Sequence, residues 1–185
     1  PFQFSAHCID AAGDMSHHEF LDLTGEDPTQ AFAQALLEAC GAKGPVYVYN
    51  AAFEGRIIRA LASWHPEHAG PLMALHARLV DLRPVTEDHY YHPDQQGSWS
   101  IKAVLPTVAP DLAYDKLEGP QNGTDAQTAY AEAVDPNTSA ERREALRAGL
   151  LAYCRLDTYA MVRLWQMLAG RADLDLPDTA FRDGA

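Results

Sequence analysis

The chain has 185 residues and carries 14 Lys and Arg against 26 Asp and Glu, a formal net charge of −12. That length suits one domain, and a composition of 47% hydrophobic and 22% charged residues excludes wholesale disorder and a fibrous repeat. No apolar run approaches the roughly 20 residues of a membrane-spanning helix, and so acidic a chain does not grip nucleic acid by bulk charge alone.

Residues 2–9 alternate apolar Phe2, Phe4, Ala6 and Cys8 with polar Gln3, Ser5 and His7, the period of a half-buried strand. Gly13-Asp14 supplies a turn into a second, antiparallel strand over residues 18–23. Asp27 as N-cap and Pro28 at the first position start a helix. Its buried stripe is Ala31, Phe32, Ala35, Leu36 and Ala39, and Gly41 and Gly44 end it. Residues 46–49 form a short strand apolar enough to be covered on both faces. Asn50 caps the next helix, with a core face of Phe53, Ile57, Ala60, Leu61 and Trp64, and His65-Pro66 stops it.

Residues 72–79 read as a further helix and Val80-Asp81-Leu82 as another brief strand or the end of one. Residues 90–97 are loop-like, and residues 98–108 form a short helix interrupted at Pro106. Residues 111–123 are irregular, and helices over 124–134 and 140–168 follow, with Gly149 a candidate break in the second. The tail over 171–185 is polar and reads as loose. The expectation is one α/β domain over residues 1–170 with a single mixed sheet. Because Pro1 opens what reads as the middle of a strand, that domain is expected to be N-terminally truncated. Cys8, Cys40 and Cys154 form no C-x-x-C pair, which reads as free thiols in a reducing, cytoplasmic compartment.

Three acidic residues draw notice. Asp157 shares a stripe with Leu150, Tyr153, Met161, Leu164 and Leu168, so it sits on an apolar helix face with Tyr153 one turn before it. An unpaired carboxylate there costs several kcal/mol; it reaches solvent, pairs with Arg155 or Arg163, or meets a cation. Glu54 lies in the first turn of the helix that follows a buried strand, where ligands gather in α/β sheets and where an acid also complements the helix dipole. Asp81 reads as the cap of a helix opened by Leu82-Arg83-Pro84. Two acids and a phenol in this order suit a divalent cation held by oxygen ligands, of the kind that hydrolyses phosphodiesters with two metals.

Asn50-Ala51-Ala52-Phe53-Glu54 resembles the second motif of the DnaQ-like, or DEDD, 3′–5′ exonuclease superfamily, and Tyr153-Cys154-Arg155-Leu156-Asp157 resembles its third motif in the Tyr form. Val80-Asp81-Leu82 followed by residues 98–106 looks like its middle segment. The phrases YNAAFE, GSWSIKAVLP and YCRLD are similar to an uncharacterised bacterial branch of that superfamily. The resemblance implies a ribonuclease-H-like mixed sheet flanked by helices and two Mg²⁺ or Mn²⁺ ions held by four acids. It implies Glu54 and Asp157 as metal ligands, Tyr153 as the residue that positions water, and Asn50, Phe53 and Lys102 beside a single-stranded 3′ end. The opening Asp-x-Glu of the superfamily is absent and is expected upstream in the same polypeptide, and Glu54 replaces the usual Asp.

Arg56 and Arg59 are further candidates for phosphate contact. His89-Tyr90-Tyr91-His92 would stack on bases or pack on the domain. The scattered His residues lack zinc spacing. Arg142, Arg143 and Arg147 belong to a salt-bridged exposed face. The expected function is therefore an exonuclease-like domain, incomplete in this fragment. The rivals are a non-catalytic module of the same fold and a phosphoesterase acting on small nucleotides.

Overall fold

The alternation over the first residues produces a hairpin. In the computed structural model, which describes residues 1–112, 117, 119–171, 174–178 and 180, strand β1 (Gln3–Ile9) pairs antiparallel with β2 (Met15–Leu21). The second strand starts earlier than residue 18 because the turn is tight. The Asp10 carboxylate accepts from the Ala12 and Asp14 N–H groups at 2.8 and 3.0 Å, and Gly13 adopts φ +92°. Side chains alternate across β1 as the pleat requires. Phe4 meets Phe32 edge-on at 5.3 Å on one side, while Ser5 and His7 bond Thr158 on the other.

Helix α1 (Thr29–Cys40) begins where the Asp27 carboxylate accepts from the Thr29 N–H at 2.9 Å. Its buried residues are Thr29, Phe32 and Ala33, so its inward face is rotated from the expected stripe and Ala31 is exposed. Strand β3 (Val46–Val48) runs parallel to β4 (Leu79–Asp81), with Val48 opposite Asp81. Among the described residues, the expected single mixed sheet is instead two sheets of two strands each: the hydrogen-bonded pairs are β1 with β2 and β3 with β4. The architecture is mixed α/β.

Helix α2 (Ala51–Trp64) differs most from the expectation. Ile58, Leu61 and Ala62 are buried, whereas Phe53 and Trp64 are 52% and 56% exposed. The reason is tertiary. Helix α3 (Ala69–His76) lies against the Gly55 flank so closely that a Cβ at Gly55 would stand 2.9 Å from His76 Nε2. With that flank turned inward, Ile58 and Leu61 join Phe32, Ala33, Leu72 and Leu75 in one core cluster. Each such buried Leu or Ile contributes about 1.5–3 kcal/mol.

Helix α4 (Leu82–His89) follows β4 directly, and α5 (Ile101–Val108) runs through Pro106 without interruption. Helix α6 (Gly123–Val134) precedes α7 (Ala140–Leu168), which passes Gly149 unbroken. The expected irregular stretch over 111–123 falls partly outside the described residues. Residues 174–178 are not loose. Leu176 is buried against Leu150, Leu156 and Tyr159, the Tyr159 hydroxyl donates to the Leu176 carbonyl at 3.0 Å, and Asp178 is 3% exposed. Among the described residues, no helix is long and apolar enough to cross a membrane.

Candidate functional site

Strand β3 ends at Val48, and the chain turns into α2 through Asn50, whose backbone adopts the left-handed φ of 102°. Asn tolerates that conformation better than most residues. Asn50 occupies the N-cap position, but its side chain makes no capping bond. The capping is done across the sheet instead. The Asp81 carboxylate accepts from the Asn50 and Ala51 N–H groups at 3.0 and 2.8 Å, and from the Arg83 N–H at 3.0 Å. One acid thus starts both α2 and α4. The sequence assigned Asp81 only the second task, since the parallel register that sets it beside β3 has no local signal.

Glu54 sits one turn into α2, half-buried, with Oε2 buried and without a hydrogen-bond partner. Burial pushes its carboxyl up to about 7. A bond from its own backbone N–H opposes the rise, and the charge of Asp81 adds to it. A buried carboxylate oxygen without a partner is costly for charge and rare in a native interior.

The second group of predicted residues gathers on α7. Tyr153 is buried, and its hydroxyl donates to Asp157; burial first and that acid second raise the phenol well above its usual range. Lys102 of α5 places Nζ 4.8 Å from the Tyr153 ring centroid and donates to the Gln121 carbonyl. Partial burial lowers the Lys102 ammonium, against the pull of Asp157 and Asp125. Asp157 is half-buried. The cations that the sequence offered it are engaged by other acids: Arg155 with Asp178, and Arg163 with Asp111 at 2.8 Å.

Tyr153, Asp157 and Lys102 therefore meet in one cluster, and Glu54, Asn50 and Asp81 in another. Phe53 points outward, with the Arg56 guanidinium 5.4 Å from its ring centroid. Among the described residues, no three His, Cys, Asp or Glu side chains converge as a metal cage. The donor chemistry suits a hard cation in part, with hard oxygen ligands in each cluster but too few in either.

Sequence reasoning missed one polar network. Asp178 accepts from Arg155 Nε at 2.7 Å and from the Ala180 N–H at 2.9 Å, and faces His7 Nε2 at 2.8 Å. His7 Nδ1 in turn lies 2.9 Å from the Thr158 hydroxyl, which is 2.7 Å from Ser5 Oγ; Ser5 Oγ is 2.9 Å from His17 Nε2. The polar composition of the tail hid this buried acid.

Comparison with known proteins matches the chain to the family described as Domain of unknown function (DUF2779), over residues 1–100. The matched stretch contains Glu54 and Asp81 and ends before Lys102, Tyr153 and Asp157. No curated protein and no solved structure matches the chain.

Proposed function

We propose that this chain, which belongs to the DUF2779 family, is part of a metal-dependent 3′–5′ exonuclease-like domain acting on nucleic acid. The observation that carries this reading is Glu54: a half-buried carboxylate with an unpartnered oxygen, placed where a parallel strand hands over to a helix. Tyr153 with Asp157 supports it, because a phenol held protonated beside a carboxylate can hold a water by hydrogen bonding. In this reading Glu54 and Asp157 serve as oxygen ligands to Mg²⁺ or Mn²⁺, with the acids that complete the set lying outside these 185 residues. Such ions, when bound, supply activation of water and stabilisation of the leaving oxygen.

The remaining roles belong to the chain itself. Asn50 and Asp81 fix the turn that presents Glu54, Lys102 steadies the Tyr153 ring and faces Asp157, and Phe53 offers an exposed ring to a terminal base. Localisation in the cytoplasm belongs to the same proposal. A second reading, a non-catalytic binding module, is favoured by the lack of three converging ligands among the described residues.

The test uses the natural full-length protein that contains these residues, with 5′-labelled single-stranded DNA and RNA and Mn²⁺. Stepwise shortening from the 3′ end is expected, and Asp157→Asn or Glu54→Gln should lower it by about 100-fold. Equal product from wild type and both variants removes these acids from the mechanism; no product from any protein favours the binding module.

A further inference from the structure

Lysine is scarce in this chain, and its three copies are Lys43, Lys102 and Lys116. Lys102 stands where three helices bring oxygens together. Ser100 caps α5 by accepting from the Lys102 N–H, and Leu105, one turn on, joins Leu150 and Tyr153 of α7 in one buried cluster. From that anchored turn the Lys102 ammonium donates to the Gln121 carbonyl and lies 4.8 Å from the Tyr153 ring centroid. The Gln121 carbonyl is itself held in place. The Asp125 carboxylate accepts from the Gln121 N–H at 3.3 Å and from Asn122 Nδ2 at 2.8 Å, and Asn122 caps α6 by accepting from the Thr124 and Asp125 N–H groups at 2.9 Å each. Asp157 and Asp125 are the acids whose charges draw the ammonium.

A backbone carbonyl, two carboxylates and a phenol gathered around one ammonium are the hard oxygen groups that a divalent cation takes. We propose that Lys102 is a tethered cation that occupies the metal's place beside Asp157 and swings out when a divalent ion binds. The proposal rests on the reading of Asp157 as a metal ligand, and it concerns how that ligand is kept before the ion arrives. An ammonium is a compact point charge on a flexible four-carbon stem. It can therefore fill a cation's position and leave it by rotation of the stem, with α5 still packed through Leu105. Without such a charge, a half-buried Asp157 beside Asp125 would face a second acid uncompensated, which disfavours the ionised form that a metal requires. Occupancy by the ammonium also sets the threshold for metal, because apparent affinity falls by the fraction of molecules in which the position is open.

The test follows Lys102 itself in the natural full-length protein. An amine-acylating reagent is applied in EDTA and then at rising Mn²⁺, and labelling of Lys102 is compared with that of the exposed Lys43 by peptide mass spectrometry. In EDTA, Lys102 should label about tenfold more slowly than Lys43, and it should approach the Lys43 rate as Mn²⁺ saturates. Affinity for Mn²⁺ is read from the electron spin resonance of the free ion. It should tighten about tenfold in Lys102→Met, which keeps the stem and loses the charge. Arg163→Met removes a cation of α7 that Asp111 already engages and should leave Mn²⁺ affinity within about twofold.

If Lys102 labels as fast as Lys43 in EDTA, or keeps one slow rate while Mn²⁺ binds, the tethered cation is overturned and the nuclease reading stands. Equal tightening by Lys102→Met and Arg163→Met overturns it as well, since bulk charge rather than occupancy would then be at work. If neither wild type nor Lys102→Met binds Mn²⁺, Asp157 is not a metal ligand and the tethered cation falls with that reading. Release of Lys102 by Mn²⁺ without hydrolysis of any strand would defeat the nuclease reading alone.

Discussion

Two of the inward carboxylates, Asp178 and Glu54, are treated by the fold in opposite ways. At the seam of β1, α7 and residues 174–178, Asp178 is 3% exposed and meets Arg155, His7 and the Ala180 N–H. Burial alone would raise it, but those bonds outweigh burial and hold it down at about 2. At the junction of β3 and α2, Glu54 keeps one buried oxygen without a partner and is pushed up to about 7. Saturated polar groups are what a structural seam requires, since each unmade bond costs about 1–3 kcal/mol. An unsaturated one persists where something other than stability selects it. The seam is saturated with hydrogen bonds, and the junction keeps one buried oxygen without a partner.

The sharpest way to break this comparison is to truncate Asp178. Asp178→Ala strands Arg155 and His7 in a buried setting, and the expected loss is about 3–5 kcal/mol, read from urea denaturation. The tail should also become a site of early proteolysis, because the Tyr159–Leu176 bond and the Leu176 contacts no longer have an anchor beside them. A loss below about 1 kcal/mol would mean that the network is ornamental and that the contrast with Glu54 is false.

Much of the frame was legible from sequence because it is local. The alternation of Phe2 to Cys8 specified β1, Gly13-Asp14 its turn, and the residues of α7 a helical stretch, with Gly149 a candidate break, that sets Tyr153 and Asp157 a turn apart. Asp81 was read as a cap from its neighbours alone. The orientation of α2 was not legible, since Phe53, Ile57 and Trp64 form as good an apolar stripe as Ile58, Leu61 and Ala62. What decides between them is His76 against Gly55, a contact made by another helix. Asp178 could not be singled out either, because His7 stands 171 positions away. The candidate site divides in the same manner: motifs located Glu54, Tyr153 and Asp157, while the pairing of Arg155 and Arg163 with other acids needed the fold.

At the junction the opposite sign is expected. Glu54 binds its proton more tightly folded, at about 7, than its ordinary value of 4.5. Its contribution is complete below pH 4.5 and is lost as pH rises through 7, so the charged form weakens the protein at neutral pH. Glu54→Gln should therefore stabilise by about 1–2 kcal/mol at pH 8, after allowance for partial exposure, and by nothing near pH 4. Thermal melts at the two pH values check this. Destabilisation by Gln at pH 8 would show that the carboxylate has a partner and that the junction is as saturated as the seam.

The smallest effect separates the two regions by pH alone. His17, at the end of the seam network, is lowered from 6.5 to about 4 by burial first, then by the charges of Arg155 and His7, with Asp178 opposing. Its neutral form favours the fold above pH 6.5, and that advantage disappears as pH falls toward 4. Wild type should lose about 1 kcal/mol from this group between pH 7 and 5, while Glu54 acts in the reverse direction over the same interval. In Glu54→Gln the stability should then rise visibly with pH between 5 and 7. In His17→Gln it should fall with pH, because Glu54 is left to act with less opposition. Parallel profiles in the two variants would mean that seam and junction do not titrate independently, and that the polar chain from Asp178 to His17 reaches further than its hydrogen bonds.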